Sequence, residues 1–347
     1  MNERTMTLEA HIFRQYDIRG IVGRDLDARF TRDVGRAFGT LLRERVTGRT
    51  PTVVVGQDNR PSSQGLAEGL LQGLNEVGVD AVHVGTIPTG VLYWAEQALD
   101  VDGGIQITGS HNPPDWNGIK MSISGGSVFG ETIQGLRETI LAGSFAEGAG
   151  TTRSDEVLDR YVEDVLGRFD LARPLKVVVD CGNGTAAVVA ERLLSGLGVE
   201  LIPLFCESDG TFPNHHPDPT VDENLVDLIA AVRAHGADVG IAFDGDGDRI
   251  GAVDDKGHVV RGDLLLLLFG LDLLSRKGPG RKLIFDVKCS QVLPQVFEAA
   301  GGLPIMWMTG HSPMKQKMKE VGADLAGEIS GHICVGGDEY IGVDDAL

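Results

Sequence analysis

Apolar and polar positions follow a recurring order along this chain. PTVVVGQDNRPSS is a short apolar strand that runs into polar turn residues. Leu66, Leu70, Leu74 and Val77 then recur at helical spacing, which predicts an amphipathic helix with Ser62 or Ser63 as N-cap and Gly78 at its C-cap. VDAVHVG predicts a second strand, and DGGIQITGSHN a third that ends in a polar loop.

The same order returns at LKVVVDCGNG, with the helical stretch TAAVVAERLLSGLG, the strand VELIPLF and then ADVGIAFDGDGDR. It returns again at RKLIFDVKCS, QVLPQVFEAAG, LPIMWM and ADLAGEISGH. Three copies of one α/β unit put three polar loops at equivalent strand exits. In mostly parallel α/β sheets ligands gather at the carboxyl ends of strands. The expected fold is therefore three repeated α/β domains with mixed, mostly parallel sheets sandwiched by helices, around a central cleft.

The small, polar stretch AGSFAEGAGTTRSDE near 142–156 reads as a linker, and DDKGHVV near 254–260 as a second joint. These give domains at 1–153, 154–258 and 259–347. LLLLLFGLDLL, from Leu264, is interrupted by Asp272 and too short to cross a bilayer, so it reads as a buried helix.

Composition narrows the function. A formal net charge of −19 disfavours nucleic acid and anionic membranes, which are bound through clustered Lys and Arg. Aromatics at 5% leave little for base stacking. Cys181, Cys206, Cys289 and Cys334 form no CxxC pair, so a zinc site or disulfide framework is not indicated and reduced thiols are expected. MNERTMTLEA lacks the apolar core of a signal peptide, which together with the thiols points to the cytoplasm.

The first loop, TGSHNPPDWNGIK, holds Ser110 at a strand exit on a turn stiffened by Pro113 and Pro114, where a serine can serve as nucleophile or carry a covalent group. FDGDGDR is the most specific chemical signal. Asp244, Asp246 and Asp248 alternate with glycines, so an extended or gently curved backbone would turn three carboxylates to one point. Their repulsion calls for a hard divalent cation, most simply Mg²⁺. Arg249 argues against a calcium hand, since it stands where that loop needs glycine, and its place beside the carboxylates suggests a phosphate partner.

In GEISGH, Glu328, Ser330 and His332 alternate and would point together around a polyhydroxylated ligand. Lys288 and His311 lie at the exits of the two earlier strands of that unit. Arg19, in FRQYDIRG, has the planar fork that suits phosphate oxygens.

TGSHNPPDWNGIK, FDGDGDR and GEISGH, with FRQYDIRG at the start, resemble in order and spacing the α-D-phosphohexomutase family, the third loop looking most like its phosphomannomutase/phosphoglucomutase branch. The resemblance implies an intramolecular phosphotransferase that interconverts hexose 1-phosphate and hexose 6-phosphate through a hexose 1,6-bisphosphate. It implies Ser110 as the phosphoserine, and Mg²⁺ held by Asp244, Asp246, Asp248 and a phosphoserine oxygen. Arg19 and Arg249 would steady the phosphoryl group, and His111 or Lys120 would transfer the proton. Lys288, Thr309, Gly310, His311, Glu328, Ser330 and His332 would form the sugar wall.

Similar proteins carry a fourth, phosphate-binding domain, whereas this sequence stops at IGVDDAL, where Asp344 or Asp345 would begin a helix; a truncated chain with reduced turnover is expected. A metal-dependent phosphatase using Ser110, or a phosphosugar-binding module without turnover, are the alternatives. The oligomeric state, a monomer included, is left open.

Overall fold

The computed structural model describes residues 10–347, so the segment judged for signal-peptide character lies almost wholly outside the described residues. The chain forms two compact units, one of residues up to Ile87 with Ala95–Val157, the other of Pro88–Trp94 with Leu158–Leu347.

The first unit contains β1 (Ile18–Ile21), α1 (Ala28–Arg45), β2 (Thr52–Gln57), α2 (Ser63–Glu76), β3 (Asp80–Thr86), β4 (Gly103–Ile107), β5 (Trp116–Ile123), β6 (Gly126–Ser127), α4 (Glu131–Ala142) and β7 (Thr152–Ser154). Between β3 and β4 runs α3 (Thr89–Ala98), whose residues up to Trp94 cluster with the second unit. Its sheet has the order β1-β5-β4-β2-β3-β7, with β6 on β5. β3, β2 and β4 are parallel, and β5 runs antiparallel to β4 and β1. Val53, Val54 and Val55 are all fully buried, as a strand covered on both faces requires.

Helix α1 starts at Asp27, whose carboxylate accepts the Phe30 N–H at 2.8 Å, and buries Phe30, Val34, Phe38 and Leu42 along one face. Leu66, Leu70, Leu74 and Val77 line the core as the spacing predicts. The expected serine cap of α2 is absent. Ser62 has helical dihedrals and makes no side-chain cap bond, and both serine hydroxyls instead accept from Asn117 Nδ2 at 2.9 Å.

The two helices approach through glycines. A Cβ on Gly69 would lie 2.2 Å from the Ala28 carbonyl oxygen, and one on Gly73 2.0 Å from that of Arg32.

The stretch 142–156 is not a free linker. Its β7 pairs in parallel with β3, Phe145 and Ala146 pack on the first core, and Gly150 N–H donates to the Asn75 carbonyl at 2.8 Å.

The second unit opens with α5 (Leu158–Leu166) and holds two sheets. One contains β8 (Lys176–Asp180), β9 (Glu200–Leu204), β10 (Val239–Phe243), β11 (Ile250–Asp254) and β12 (Val259–Val260), with α6 (Ala190–Gly196) and α7 (Val226–His235) as connections. After α8 (Gly262–Lys277) come β13 (Lys282–Asp286), α9 (Val292–Ala299), β14 (Leu303–Trp307), α10 (His311–Val321), β15 (Leu325–Gly327), β16 (Ile333–Val335) and β17 (Val343–Asp344).

Their orders are β12-β11-β10-β8-β9 and β14-β13-β15-β16-β17. In each, the first strand lies between two parallel neighbours and the fourth runs antiparallel to the third, the same arrangement as β3-β2-β4-β5. The three polar loops join β4 to β5, β10 to β11 and β15 to β16, the same step of that arrangement in each sheet. They are topologically equivalent, as the repeat predicts.

The joint near 254–260 is itself structured, and two expectations change here. DDKGH closes the β11–β12 hairpin through Gly257 at φ 81°, and Val259–Val260 still pair with the second sheet. Helix α8 buries Leu265, Leu266, Leu267, Leu273 and Leu274 but exposes Leu264, Leu268 and Phe269, because one helix face turns outward. Asp344 lies in β17 rather than at a helix start, paired with Cys334.

Gly69→Ala is expected to cost about 1–3 kcal/mol by overpacking. Gly65→Ala, where a Cβ meets open space, should be neutral or stabilising. Denaturant midpoints of the two variants check this, and equal midpoints would contradict it.

Candidate active site

In the first unit the β4–β5 connection carries Ser110. The antiparallel register Ile107↔Ile119 sets its base, and Thr108 N–H donates to the Gly118 carbonyl at 3.0 Å. Ser110 has φ 49°, a left-handed conformation that costs ~1–3 kcal/mol for a residue with a side chain and persists only when its surroundings enforce it. Its N–H donates to Thr108 Oγ1 at 2.8 Å, and its Oγ lies 3.1 Å from His111 Nδ1.

Arg19, on β1, donates to the Gly109 carbonyl at 2.6 Å and pairs with Asp17. Lys120 is buried on β5 opposite Gln106. The sequence reading missed Asp58 and Arg60, a fully buried ion pair under this loop; their signal was two opposite charges directly after the apolar run of β2.

In the second unit Asp244, Asp246 and Asp248 follow β10. Their ligand atoms lie within 4.8 Å of one another, and all three side chains are buried. The backbone is a tight turn rather than an extended run. Gly247 N–H donates to the Asp244 carbonyl at 3.1 Å, and Gly247 takes φ 70°, which glycine adopts without strain.

Asp244 Oδ1 accepts the N–H groups of Asp248 and Arg249 at 3.1 and 3.2 Å. Asp246 Oδ2 accepts the Thr89 hydroxyl at 2.6 Å, and the Gly245 carbonyl accepts the Thr185 hydroxyl at 3.0 Å. Three buried carboxylates so close remain ionised only beside positive charge, and an all-oxygen set suits a hard divalent cation. The residues therefore fit a metal. Burial works against the charge of Arg249, but the neighbouring Asp244 and Asp248 outweigh it and raise its pKa.

The β15–β16 loop meets the acidic one backbone to backbone, Ile250 N–H donating to the Gly331 carbonyl at 3.1 Å. Glu328 accepts the Ser330 hydroxyl at 2.9 Å and the Gly310 N–H, which ties this loop to the start of α10. Thr309 donates its hydroxyl to Asp286 at 3.0 Å, and Lys288 is exposed on the turn after β13.

His332 does not join Glu328 and Ser330. Its ring stacks on His311 with centroids 5.2 Å apart, and Arg249 Nε donates to its Nε2 at 2.9 Å. Asp344, also missed, lies 3.1 Å from Nδ1 of both rings and accepts Lys315 Nζ at 2.6 Å. Burial alone would raise the Asp344 pKa, but Lys315 and the imidazoles hold it well below the usual carboxylate range. Burial, helped by Lys315, lowers that of His311, whereas Asp248 overcomes the burial of His332 and raises it. Nothing local in the sequence singles out Asp344, because its partners are distant in the chain.

Three α/β domains with one polar loop each, the second carrying a carboxylate cluster, define a multidomain α/β protein whose loops bear the chemistry. The chain belongs to the phosphoglucomutase/phosphomannomutase family. Alpha/beta/alpha domains I, II and III of that family match residues 10–147, 159–257 and 261–347.

It is 49% identical over 341 residues to a phosphomannomutase/phosphoglucomutase of Pseudomonas aeruginosa, covering 98% of this chain and 73% of the relative. It is 42% identical over 338 residues to a phosphoglucomutase of Neisseria gonorrhoeae, covering 97% and 72%. A crystal structure of a family protein from Burkholderia thailandensis aligns with TM-score 0.94 at 47% identity, covering 98% of this chain and 75% of that one. No helix among the described residues is long and apolar enough to cross a membrane.

His215 Nε2 lies 3.0 Å from a buried oxygen of Asp180, at the exit of β8. Burial lowers its pKa, but the Asp180 contact prevails and leaves it raised. A raised folded-state value means that this contribution to stability is fully present below the unfolded value of about 6.5 and is lost as pH rises through the folded one. His215→Gln should therefore destabilise more at about pH 6 than at about pH 8. Equal losses in thermal scans at the two pH values would contradict this.

Proposed function

We propose that the chain is a phosphohexomutase that interconverts the 1- and 6-phosphates of mannose or glucose. The observation that carries this reading is the buried carboxylate cluster with Arg249 beside it. It is a place to neutralise phosphoryl charge, which is what a loose phosphoryl-transfer transition state requires.

On this reading Ser110 carries the phosphoryl group. The bond between Ser110 Oγ and phosphorus breaks as the group passes to the free 6- or 1-hydroxyl of the sugar monophosphate, which gives up its proton to His111 or Lys120, leaving the hexose 1,6-bisphosphate and the Ser110 alkoxide. His111, 3.1 Å from Ser110 Oγ, returns a proton to that oxygen, with Lys120 as the other candidate. The bisphosphate turns around and gives its other phosphate back to Ser110, leaving the isomeric monophosphate.

Asp244, Asp246 and Asp248, with an oxygen of phosphorylated Ser110, would hold Mg²⁺, whose charge would offset that of the transferring group. Arg19 and Arg249 steady the phosphoryl oxygens. Lys288, Thr309, Gly310, His311, Glu328 and Ser330 hold the sugar in either orientation, while His332 accepts from Arg249. The four cysteines are free thiols, which supports a reducing compartment, and we place the protein in the cytoplasm.

Conversion of glucose 1-phosphate and mannose 1-phosphate to their 6-phosphates, primed with hexose 1,6-bisphosphate, tests the reading. Ser110→Ala should abolish conversion without changing the circular dichroism spectrum. Asp246→Asn should lower the rate by about 10-fold or more and raise the Mg²⁺ concentration required. Undiminished conversion by Ser110→Ala would overturn the proposal, and steady release of inorganic phosphate in place of isomerisation would point to a phosphatase.

A further inference from the structure

The loop that carries Ser110 is wrapped around a guanidinium. Arg60 sits at the start of the turn after β2, and its side chain is wholly buried. Its Nε donates to Asp58 Oδ2 at 3.0 Å. One terminal nitrogen donates to the carbonyls of Ser110 and Asn112 at 2.7 and 2.6 Å. The other donates to the carbonyls of Pro113 and, at 3.1 Å, Trp116.

These bonds use all five N–H donors of an arginine, four of them on one loop. Asp58 completes the clamp from the other side. Its Oδ2 also accepts the Gly109 N–H at 2.8 Å, while its Oδ1 accepts the Arg60 N–H at 3.1 Å and the Ser63 hydroxyl. The fit is tight, since a Cβ on Gly109 would lie 2.2 Å from Arg60 Nε.

Three consequences follow from this geometry. The carbonyls of Ser110, Asn112 and Pro113 have a donor although they lie in no strand, and that of Trp116 ties the clamp to the start of β5. The backbone on both sides of Ser110 is pinned, which is what its left-handed conformation needs in order to persist. Because four donors of the guanidinium are taken by backbone carbonyls and the fifth by Asp58, none is left for a phosphoryl group. Arg60 therefore acts on Ser110 only through the backbone.

We propose that Arg60, held by Asp58, is the positioning residue that fixes where the Ser110 oxygen stands during phosphoryl transfer, so that the group goes to a sugar hydroxyl rather than to water. This rests on Ser110 as the phosphoryl carrier. Lysine keeps the charge but offers no planar fork, so it cannot hold four carbonyls at once.

The test uses the full chain loaded from glucose 1,6-bisphosphate in Mg²⁺, and compares wild type with Arg60→Lys and the near-isosteric Asp58→Asn. The readout is the ratio of phosphoryl transfer to glucose 1-phosphate over hydrolysis to inorganic phosphate. That ratio is independent of how much protein is correctly folded, so a merely structural role would not move it.

Both variants should shift the ratio towards water. In Arg60→Lys kcat should fall on the order of 100-fold, the scale of a misplacement of about 1 Å, with KM changed far less. A wild-type ratio in a folded form of either variant, with activity lost only in proportion to folded protein, would overturn the proposal. If wild-type Ser110 neither accepts nor passes on a phosphoryl group, the mutase reading itself fails and takes this inference with it.

Discussion

A carboxylate buried at the end of a parallel strand must find donors or it destabilises the fold, and each of the three sheets places one there. Asp58 follows β2 directly, Asp180 ends β8 and Asp286 ends β13, and all three are buried. Asp58 takes the N–H of Gly109, Asp180 that of Gly182 at 2.8 Å, and Asp286 the Thr309 hydroxyl. In the first sheet this need is met by the Ser110 loop itself. In the second it is met by the turn leading to Thr185, whose N–H and hydroxyl both hold the Gly245 carbonyl in the middle of the acidic loop. In the third, Thr309 adjoins Gly310, which is tied to Glu328. The three polar loops are therefore anchored by the polar requirements of the sheets beneath them.

The repeat was legible because it rests on local pattern. Apolar runs, helical spacing and turn residues returned three times in one order, and the strand orders of the three sheets agree. What escaped was set by tertiary contact. Ser62 and Ser63 look like caps but serve Asn117, and the stretch 142–156 looks like a linker because its single large apolar side chain, Phe145, carries the docking. A run of leucines cannot reveal that Leu268 faces outward while Leu267 faces in.

The same distinction holds at the site. The three aspartates stood out by their spacing and Ser110 by its place at a strand exit, although the acidic loop proved to be a turn. Arg60 and Asp344 did not, because each matters through partners far along the chain. Arg60 reaches the carbonyls of residues 110–116, and Asp344 gathers two histidines and a lysine. A buried charge set by distant partners leaves no local signature beyond its own presence.

The central claim is that Ser110 carries the phosphoryl group. Peptide-resolved mass spectrometry of the purified chain, before and after incubation with glucose 1,6-bisphosphate and Mg²⁺, tests it most directly. The account predicts a phosphoryl group on Ser110 that disappears when glucose 1-phosphate or mannose 1-phosphate is added. A folded, metal-binding protein whose Ser110 stays bare, or whose phosphoryl group settles on another residue, would contradict it.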